Sequence, residues 1–547
     1  MAVVSVKSQY VAVARMRWRM LINSLRTRHG NFEIGARIFM QAFFSLIGLS
    51  IGIGLAFLSW HIARHSSLRL LAAFLWPVLA IWQIVPITVA SFQENADLSI
   101  FLRFPLNFSS YMLFYILFGL FDVSSLIGGI ALLGVFIGAS VAQPALILWI
   151  ALALALFAAF NILLTRMIFA WIDRWLAQRK TREVLGVAFL FLILVAQMFN
   201  PVFYQRHQHN NEISQASLMH MLHTAERVQD WLPPGLAANA IYSVHKARPV
   251  AAAGNLFLLS LYTAVVGAGL GARLRAEYRG EGLSESPSIA AKSAPARRRR
   301  SLLQGSGPVA AVVEKEIHYL MRSGVMLYGF LAPLIIVFLF SGRSHMGHAS
   351  GFAGEYALPL GVAYSFLGLT RFVYNNLGGE GAGIQLYFLS PTPFRKVMLA
   401  KNIVHSIIFL MELALVCVIV GFRVGFPDPQ LLIVTFCWLL FAVPAQLAIG
   451  NVLSITMAYR LNMTRMSREQ GAAANNLLSF AVELVVFAVG AAVYIPLKNT
   501  GHAGLAAPAL LVLAALSTLL WLRTLSNSAS MMQARKETLV TTLYKTA

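Results

Sequence analysis

The chain has 547 residues, of which 58% are hydrophobic and only 12% are charged. A soluble domain carries about 25% charged residues, so most of this surface does not face water. The net charge is +22, with 43 Lys and Arg against 21 Asp and Glu. Because the basic residues lie between hydrophobic blocks, they indicate the positive-inside rule of membrane proteins rather than a nucleic-acid partner.

The first half of the sequence is predicted to cross the membrane six times. Residues 7–28 form a basic amphipathic segment, which we expect to lie in the membrane interface. Apolar blocks of about 20 residues follow, the length that crosses roughly 30 Å of hydrocarbon. The predicted spans lie near residues 36–60, 69–92, 110–138, 143–170, 184–204 and 250–272.

The second half repeats this plan, with an amphipathic stretch at 309–323 before its spans. Those spans lie near residues 324–341, 355–374, 397–422, 429–459, 474–496 and 504–523. The predicted fold is therefore all-α and polytopic, with about twelve transmembrane helices. We divide it into a first six-helix half at 1–272, a basic cytoplasmic linker at 273–308, and a second half with a cytoplasmic tail at 309–547.

Short matches between the halves indicate a duplicated unit. Phe104–Phe108 corresponds to Ser390–Phe394, and Asn161 corresponds to Asn451, at near-constant spacing. Since both copies begin on the same side, the two halves form a parallel repeat. The basic segments predict that both termini are cytoplasmic, in a cell (inner) membrane.

The loop between the second and third spans has a distinctive sequence. Residues 375–402 read NNLGGEGAGIQLYFLSPTPFRKVMLAKN, and residues 314–324 before the first span of this half read EKEIHYLMRSG. Together they resemble the ABC-2 type permeases, the membrane subunits of ATP-driven exporters. Residues 231–240, WLPPGLAANA, also look like that family's outer segment. The first half has a weaker loop, ENADLSIFLRFP at 94–105, without the Gly cluster and the basic pair after the proline.

The resemblance implies that these loops form coupling helices in a groove of an ATPase subunit. It also implies two copies of that subunit, which would bind ATP and Mg. The chain itself contains no Gly-x-x-x-x-Gly-Lys-Ser/Thr phosphate loop, so we expect neither enzymatic activity nor a cofactor in it. The alternative to a coupling role is that each loop is an ordinary turn at the membrane–water interface with snorkelling cations. The residues expected to offer this coupling are Glu94, Asp97, Arg103, Pro105, Glu380, Pro391, Arg395, Lys396 and Lys401.

Ionisable residues inside the spans are candidates for a transport pathway, because charge is costly there. Asp122 and Glu412 fall in the equivalent third span of each half, and they either face a pathway or bond neighbouring helices. Arg166, near a helix end, is interpreted as a snorkelling cation. A weak metal hypothesis rests on imidazoles of the loop 205–249. These are His207, His209, His220 and His223.

The sequence therefore favours the permease of an ABC-type exporter, moving a small molecule, a lipid or a peptide. An ion-driven secondary transporter is the main alternative, with Asp122 or Glu412 as proton carriers. A membrane-embedded lipid enzyme is a third class, but the buried charges are scattered rather than clustered. Nothing in the spans selects the substrate.

Overall fold

The structure is a computed structural model, and its description covers most of the chain. It describes residues 30–65, 68–88, 106–120, 122–177, 228–280, 307–322, 356–423, 428–461 and 473–544, with Val11, Arg15, Arg19, Leu334 and Val337. Within these residues all regular secondary structure is helical. The chain divides into two compact units, residues 1–31 with 38–291 and residues 32–37 with 292–547.

The described ranges from residue 30 to residue 280 contain seven α-helices. They are α1 (Gly30–His65), α2 (Leu71–Thr88), α3 (Phe108–Gly119), α4 (Val123–Ala142), α5 (Ile147–Ala177), α6 (Pro233–His245) and α7 (Pro249–Tyr278). Pro249 stands in the first turn of α7, where its missing N–H has no helical partner to lose. The core of this unit lies between α2, α4, α5 and α6.

Eight α-helices lie in the described ranges from residue 307 to residue 544. They are α8 (Pro308–Arg322), α9 (Ala357–Val373), α10 (Ile384–Leu389), α11 (Phe394–Arg423), α12 (Pro429–Thr456), α13 (Ala473–Asn499), α14 (Ala506–Ala534) and α15 (Lys536–Tyr544). Asp428 begins α12 by accepting a hydrogen bond from the Leu431 amide at 3.4 Å, the role of an N-cap residue. The main core of this unit joins α9, α11, α12 and α14.

Nine helices in the described ranges are long and apolar enough to cross a bilayer, and α3 and α9 contain shorter apolar segments. The predicted span at 110–138 is wrong as one helix. The chain breaks between α3 and α4, because Asp122 lies in extended conformation just before α4, a position that Asp favours. The predicted spans at 184–204 and 324–341 lie outside the described residues, apart from Leu334 and Val337.

The two units repeat one packing pattern. In the first, α5 packs on α7 and α2 packs on α4; in the second, the equivalent helices α12 and α14 pack together, as do α9 and α11. The matched Asn161 and Asn451 are both buried, on the equivalent helices α5 and α12. This agreement supports the interpretation of the sequence as a duplication.

Two adjacent glycines of α4 provide a test of its packing. A Cβ on Gly128 would lie 2.7 Å from the buried Trp82 ring of α2, whereas a Cβ on Gly129 would meet nothing within 4 Å. Gly128→Ala should therefore destabilise the protein by about 1–3 kcal/mol, since the ring must move. Gly129→Ala should be neutral or slightly stabilising, because Ala is the better helix former. Thermal unfolding in detergent measures both, and equal melting temperatures would contradict the α2–α4 packing.

Candidate functional site

The Asn375 side chain hydrogen-bonds the loop after α9 to the segment that follows α12. The Asn375 amide nitrogen donates to the Tyr459 carbonyl at 2.8 Å, and its amide oxygen accepts from the Tyr459 N–H at 3.2 Å. The Leu461 N–H donates to the Gly378 carbonyl at 2.9 Å. A Cβ on Gly378 would lie only 2.4 Å from the Tyr459 carbonyl oxygen, so this close approach requires glycine.

The loop then makes a sharp turn before a short helix. Gly381 adopts a φ of 53°, a left-handed value that glycine tolerates. Helix α10 ends at Leu389, and Pro391 and Pro393 separate it from the start of α11. Prolines cannot donate the backbone hydrogen bonds that would continue a helix. The Gly cluster and the prolines thus produce a helical hairpin between α9 and α11.

A fully buried lysine anchors this hairpin. The Lys401 ammonium, on α11, donates to Glu380 Oε1 of the loop at 2.6 Å and to Glu316 Oε1 of α8 at 2.7 Å. It also donates to the Asn376 carbonyl at 3.2 Å. An ammonium has three donors, and three acceptors surround it here. One cation therefore joins the amphipathic helix, the loop and a membrane-spanning helix.

A second lysine completes a neutral network of two cations and two anions. The Lys315 ammonium, on α8, contacts both Glu380 carboxylate oxygens at 2.6 and 2.7 Å. It also lies 2.8 Å from the Tyr387 hydroxyl of α10, and that hydroxyl donates to Glu380 Oε1 at 3.0 Å. Such pairing is what allows these charges to leave water.

The network sets the charge state of its members outside the spans. Burial alone would raise the pKa of Glu380, but Lys401 and Lys315 outweigh it and lower this pKa to about 2. Burial and Lys401 lower the pKa of Lys315, while Glu380 and Glu316 raise it above its usual value. Both groups are therefore charged at neutral pH.

The cavity beside this network is too small for a substrate. It holds about 20 Å³, the space of about one water molecule, and its walls include Tyr319, Asn375 and His405. The network therefore acts as a structural tie rather than as a small-molecule site.

The structure corrects the expected role of two coupling residues. Glu380 and Lys401 were expected to offer charge to a soluble partner, but their side chains are only 7% and 2% exposed and bind each other. Of the candidate coupling residues in the described ranges, Pro391, Arg395 and Lys396 are exposed.

The exposed surface of the hairpin is also apolar, a feature that the sequence reasoning missed. Leu386 and Leu389 are 68% and 80% exposed, one turn apart on α10. Together with Pro391, Arg395 and Lys396 they form a surface that we call the hairpin tip. The pattern of leucines three residues apart before the proline pair could have indicated it.

Helix α15 packs against the hairpin. Leu539 and Leu543 are buried in one cluster with Leu377 and Ile384 of the hairpin. The Lys536 ammonium lies 5.4 Å from the centre of the Phe388 ring, within cation–π range. The loop is thus held by ion pairs on one side and by apolar packing on another.

The sequence reasoning also missed the partners of the loop on α8. No partner is predicted from the sequence for Lys315 and Glu316, which lie in the amphipathic segment. Their burial requires opposite charge, and Glu380 and Lys401 are the charges that meet it. Adjacent Lys and Glu residues on an amphipathic helix that precedes a Glu-containing loop could have indicated this ion pairing.

The intramembrane candidates differ from one another. Asp122 lies at the N-terminal end of α4 and forms an ion pair with Arg166 of α5. The Arg166 guanidinium also lies 5.5 Å from the centre of the Tyr115 ring. Arg166 is therefore a partly buried partner of Asp122 and not a snorkelling cation. Glu412 is fully buried in α11, and no basic side chain pairs with it among the described residues.

Several candidates lie outside the described residues. Among the residues that the structure does describe, no group of three or more His, Cys, Asp and Glu side chains could hold a metal. The candidates outside are Glu94, Asp97, Arg103 and Pro105 of the first coupling loop, and His207, His209, His220 and His223 of the metal hypothesis.

Removing the buried cation should destabilise the second unit strongly. Lys401→Met leaves Glu316 and Glu380 buried with one cation between them, which should lower the free energy of unfolding by about 3–5 kcal/mol. Lys396→Met removes an exposed cation of the same helix, so its effect should stay within about 0.5 kcal/mol. Thermal unfolding in detergent compares them. Equal melting temperatures of the two variants would show that the ion network does not form.

The lowered pKa of Glu380 predicts a defined sensitivity to acid. Its carboxylate stabilises the folded state fully above the ordinary pKa of 4.5, and this contribution is lost as the pH falls towards about 2. The melting temperature should therefore fall across this range, and less so in Glu380→Gln. A pH dependence identical in the two proteins would contradict the ion pairing.

Comparison with known proteins identifies the chain at the level of its topology. The family described as "Membrane protein of 12 TMs" matches residues 32–524. No curated protein and no solved structure matches the chain. With the apolar helices of the described ranges, the family match makes this a polytopic all-α membrane protein, and the chain belongs to the family of membrane proteins with twelve transmembrane segments.

Proposed function

We propose that this chain is the membrane-spanning permease of an ABC-type exporter, driven by separate ATPase subunits. The observation that carries the proposal is the hairpin between α9 and α11. Its base is fixed by a buried ion network, while its tip exposes two leucines and two basic residues. A rigid base with an exposed, chemically mixed tip suits a loop that receives force from a soluble partner.

The tip indicates the chemistry of the surface that would bind it. Leu386 and Leu389 would enter an apolar groove, since exposed large apolar side chains grouped together mark interaction sites. Arg395 and Lys396 would face acidic residues at the rim of that groove. An ATPase subunit with such a groove would bind the hairpin through burial at the centre and charge at the edge.

The ion network provides the route from the tip to the membrane. Glu380 lies in the loop, and Lys401 lies two turns into α11, which continues as a membrane-spanning helix. A displacement of the loop therefore acts on α11 and α8 together, because one ammonium binds both. Rocking of the helices between inward and outward access would follow from closure of the ATPase pair around ATP and Mg.

An ion-driven secondary transporter is the second candidate, because Glu412 is fully buried in a span without a basic partner among the described residues. The two candidates differ in their energy source. The purified chain in liposomes should move no solute under a proton or sodium gradient alone if the exporter proposal holds. Solute movement under those conditions, without nucleotide hydrolysis, would favour the secondary transporter.

The docking role of the tip can be tested by placing a charge in its apolar part. Gentle purification of the tagged chain should retain an ATPase subunit, and Leu386→Asp/Leu389→Asp should lower the amount retained about tenfold or more. Mass spectrometry of the retained proteins and their ATP hydrolysis measure this. Both positions are exposed, so the variant should still insert and elute as a single species.

The matched control is Gln385→Asp, which adds negative charge at an exposed polar position of the same helix. It should retain the ATPase subunit at close to the wild-type amount. Two results would count against the proposal: a wild-type chain that carries no nucleotide-hydrolysing partner, or a double leucine variant that retains as much of the partner as the control.

A further inference from the structure

Besides Glu412, a second carboxyl is buried within a predicted span, and its hydrogen-bond partner is an amide instead of a cation. Glu483 of α13 is 6% exposed, and its Oε2 accepts a hydrogen bond from Gln446 Nε2 of α12 at 2.9 Å. It stands about 15 Å along the helix from Ala473 and about 24 Å from Asn499, at 1.5 Å per residue. The carboxyl therefore lies well inside the span.

The pair leaves two acceptor atoms without hydrogen bonds in the part of the chain that the structure describes. One is Glu483 Oε1, and the other is Gln446 Oε1, on a side chain that is fully buried. Neither group can supply a donor to the other at these atoms, and the Tyr374 hydroxyl beside Glu483 has one proton, so it can satisfy only one acceptor. One added proton supplies the missing donor, because a carboxylic acid and a primary amide can close a ring of two hydrogen bonds.

The neighbouring helices offer no counter-charge in their described residues. Helix α13 packs on α9, α12 and α14. No Lys, Arg or His of these elements forms an ion pair with Glu483, and the titratable group that acts on it is the Tyr374 hydroxyl, next after α9. An ionised carboxylate in this position would be costly, and a neutral acid avoids that cost.

Polar side chains on one face of α13 connect this carboxyl with the end of the helix next to the hairpin. Asn475, Ser479 and Glu483 follow at intervals of four residues, and all three are buried. The Ser479 hydroxyl lies 2.6 Å from the Asn475 carbonyl and 3.2 Å from its amide oxygen. The Asn475 amide donates to the Tyr374 carbonyl at 3.1 Å. The buried face of α13 is therefore polar from Asn475 to Glu483.

We propose that Glu483 and Gln446 form an intramembrane proton-binding site, in which one exchangeable proton joins Glu483 Oε1 to Gln446 Oε1. Proton binding neutralises the carboxylate and ties α13 to α12. Loss of the proton would leave a carboxylate that needs water, so these helices would have to separate at this level. The inference does not depend on the ATPase, since either transport mechanism could use such a site.

Infrared spectroscopy tests the site directly. In membranes at neutral pH, the carbonyl band of a protonated carboxylic acid should be present in Glu412→Gln and absent from Glu412→Gln/Glu483→Gln; the first substitution removes Glu412, the other buried acid of the described spans without a cation beside it. The band should shift in deuterated water, because the proton exchanges. A band that survives in the double variant, or one that does not shift, would overturn the proposal.

The role of the Gln446 amide is tested by a separate variant. This test remains valid if Glu483→Gln fails to fold. Gln446→Leu should move the acid band to higher frequency, because the carbonyl loses its donor. Asn451→Leu, a substitution of another buried amide of α12, should leave the band in place. A band unmoved by Gln446→Leu would contradict the pairing. Replacement of the acid band by a carboxylate band on adding sodium at constant pH would assign a metal cation instead of a proton.

Discussion

The second unit depends on one buried ammonium group. Lys401 is 2% exposed, and burying a cation is costly unless each of its donors has an acceptor. Its acceptors come from Glu316 of α8 and from Asn376 and Glu380 of the loop, two segments about 60 residues apart in the sequence. The amphipathic helix, the loop and α11 must therefore meet at one point, because otherwise a charge would be left unpaired in an apolar environment. This requirement fixes how α8, the loop and α11 pack against one another.

The same constraint divides the loop into residues that are held by buried contacts and a tip that is exposed to a binding partner. Glu380 and Tyr387 point into the network, and Ile384 and Leu377 pack against the leucines of α15. What remains exposed is the tip around Leu389. A loop built in this way presents a small surface of defined shape without needing a partner to order it, so less conformational entropy is lost when a partner binds.

The sequence predicted the elements well where hydrophobicity decides them. Of the predictions that fall on described residues, the long apolar blocks other than 110–138, the amphipathic segment at 309–323 and the proline-bounded hairpin correspond to helices and turns. It failed where a polar residue has two possible environments. Asp122 was counted as part of a span, because a single carboxylate in a long apolar run does not itself reveal a helix start.

The burial of charged residues could not be predicted from the sequence for a related reason. Lys401 and Lys396 belong to the same basic stretch, yet one is buried and the other is exposed. Their difference is set by Glu316 and Glu380, which approach only after α8 and the loop have folded against α11. Charge pairing over long sequence separations is a property of the tertiary structure, and adjacent charges on an amphipathic helix do not reveal which distant residue each one meets.

The contrast between these two lysines has a consequence for ionic strength. Salt screens charges that face water, with a Debye length of about 8 Å at physiological concentration, and it affects buried pairs much less. Concentrated salt would therefore weaken any contact made through Arg395 and Lys396 while Lys401 kept its partners. Dissociation of a bound subunit in a high-salt wash would leave the hairpin in its shape, ready to bind again after dilution.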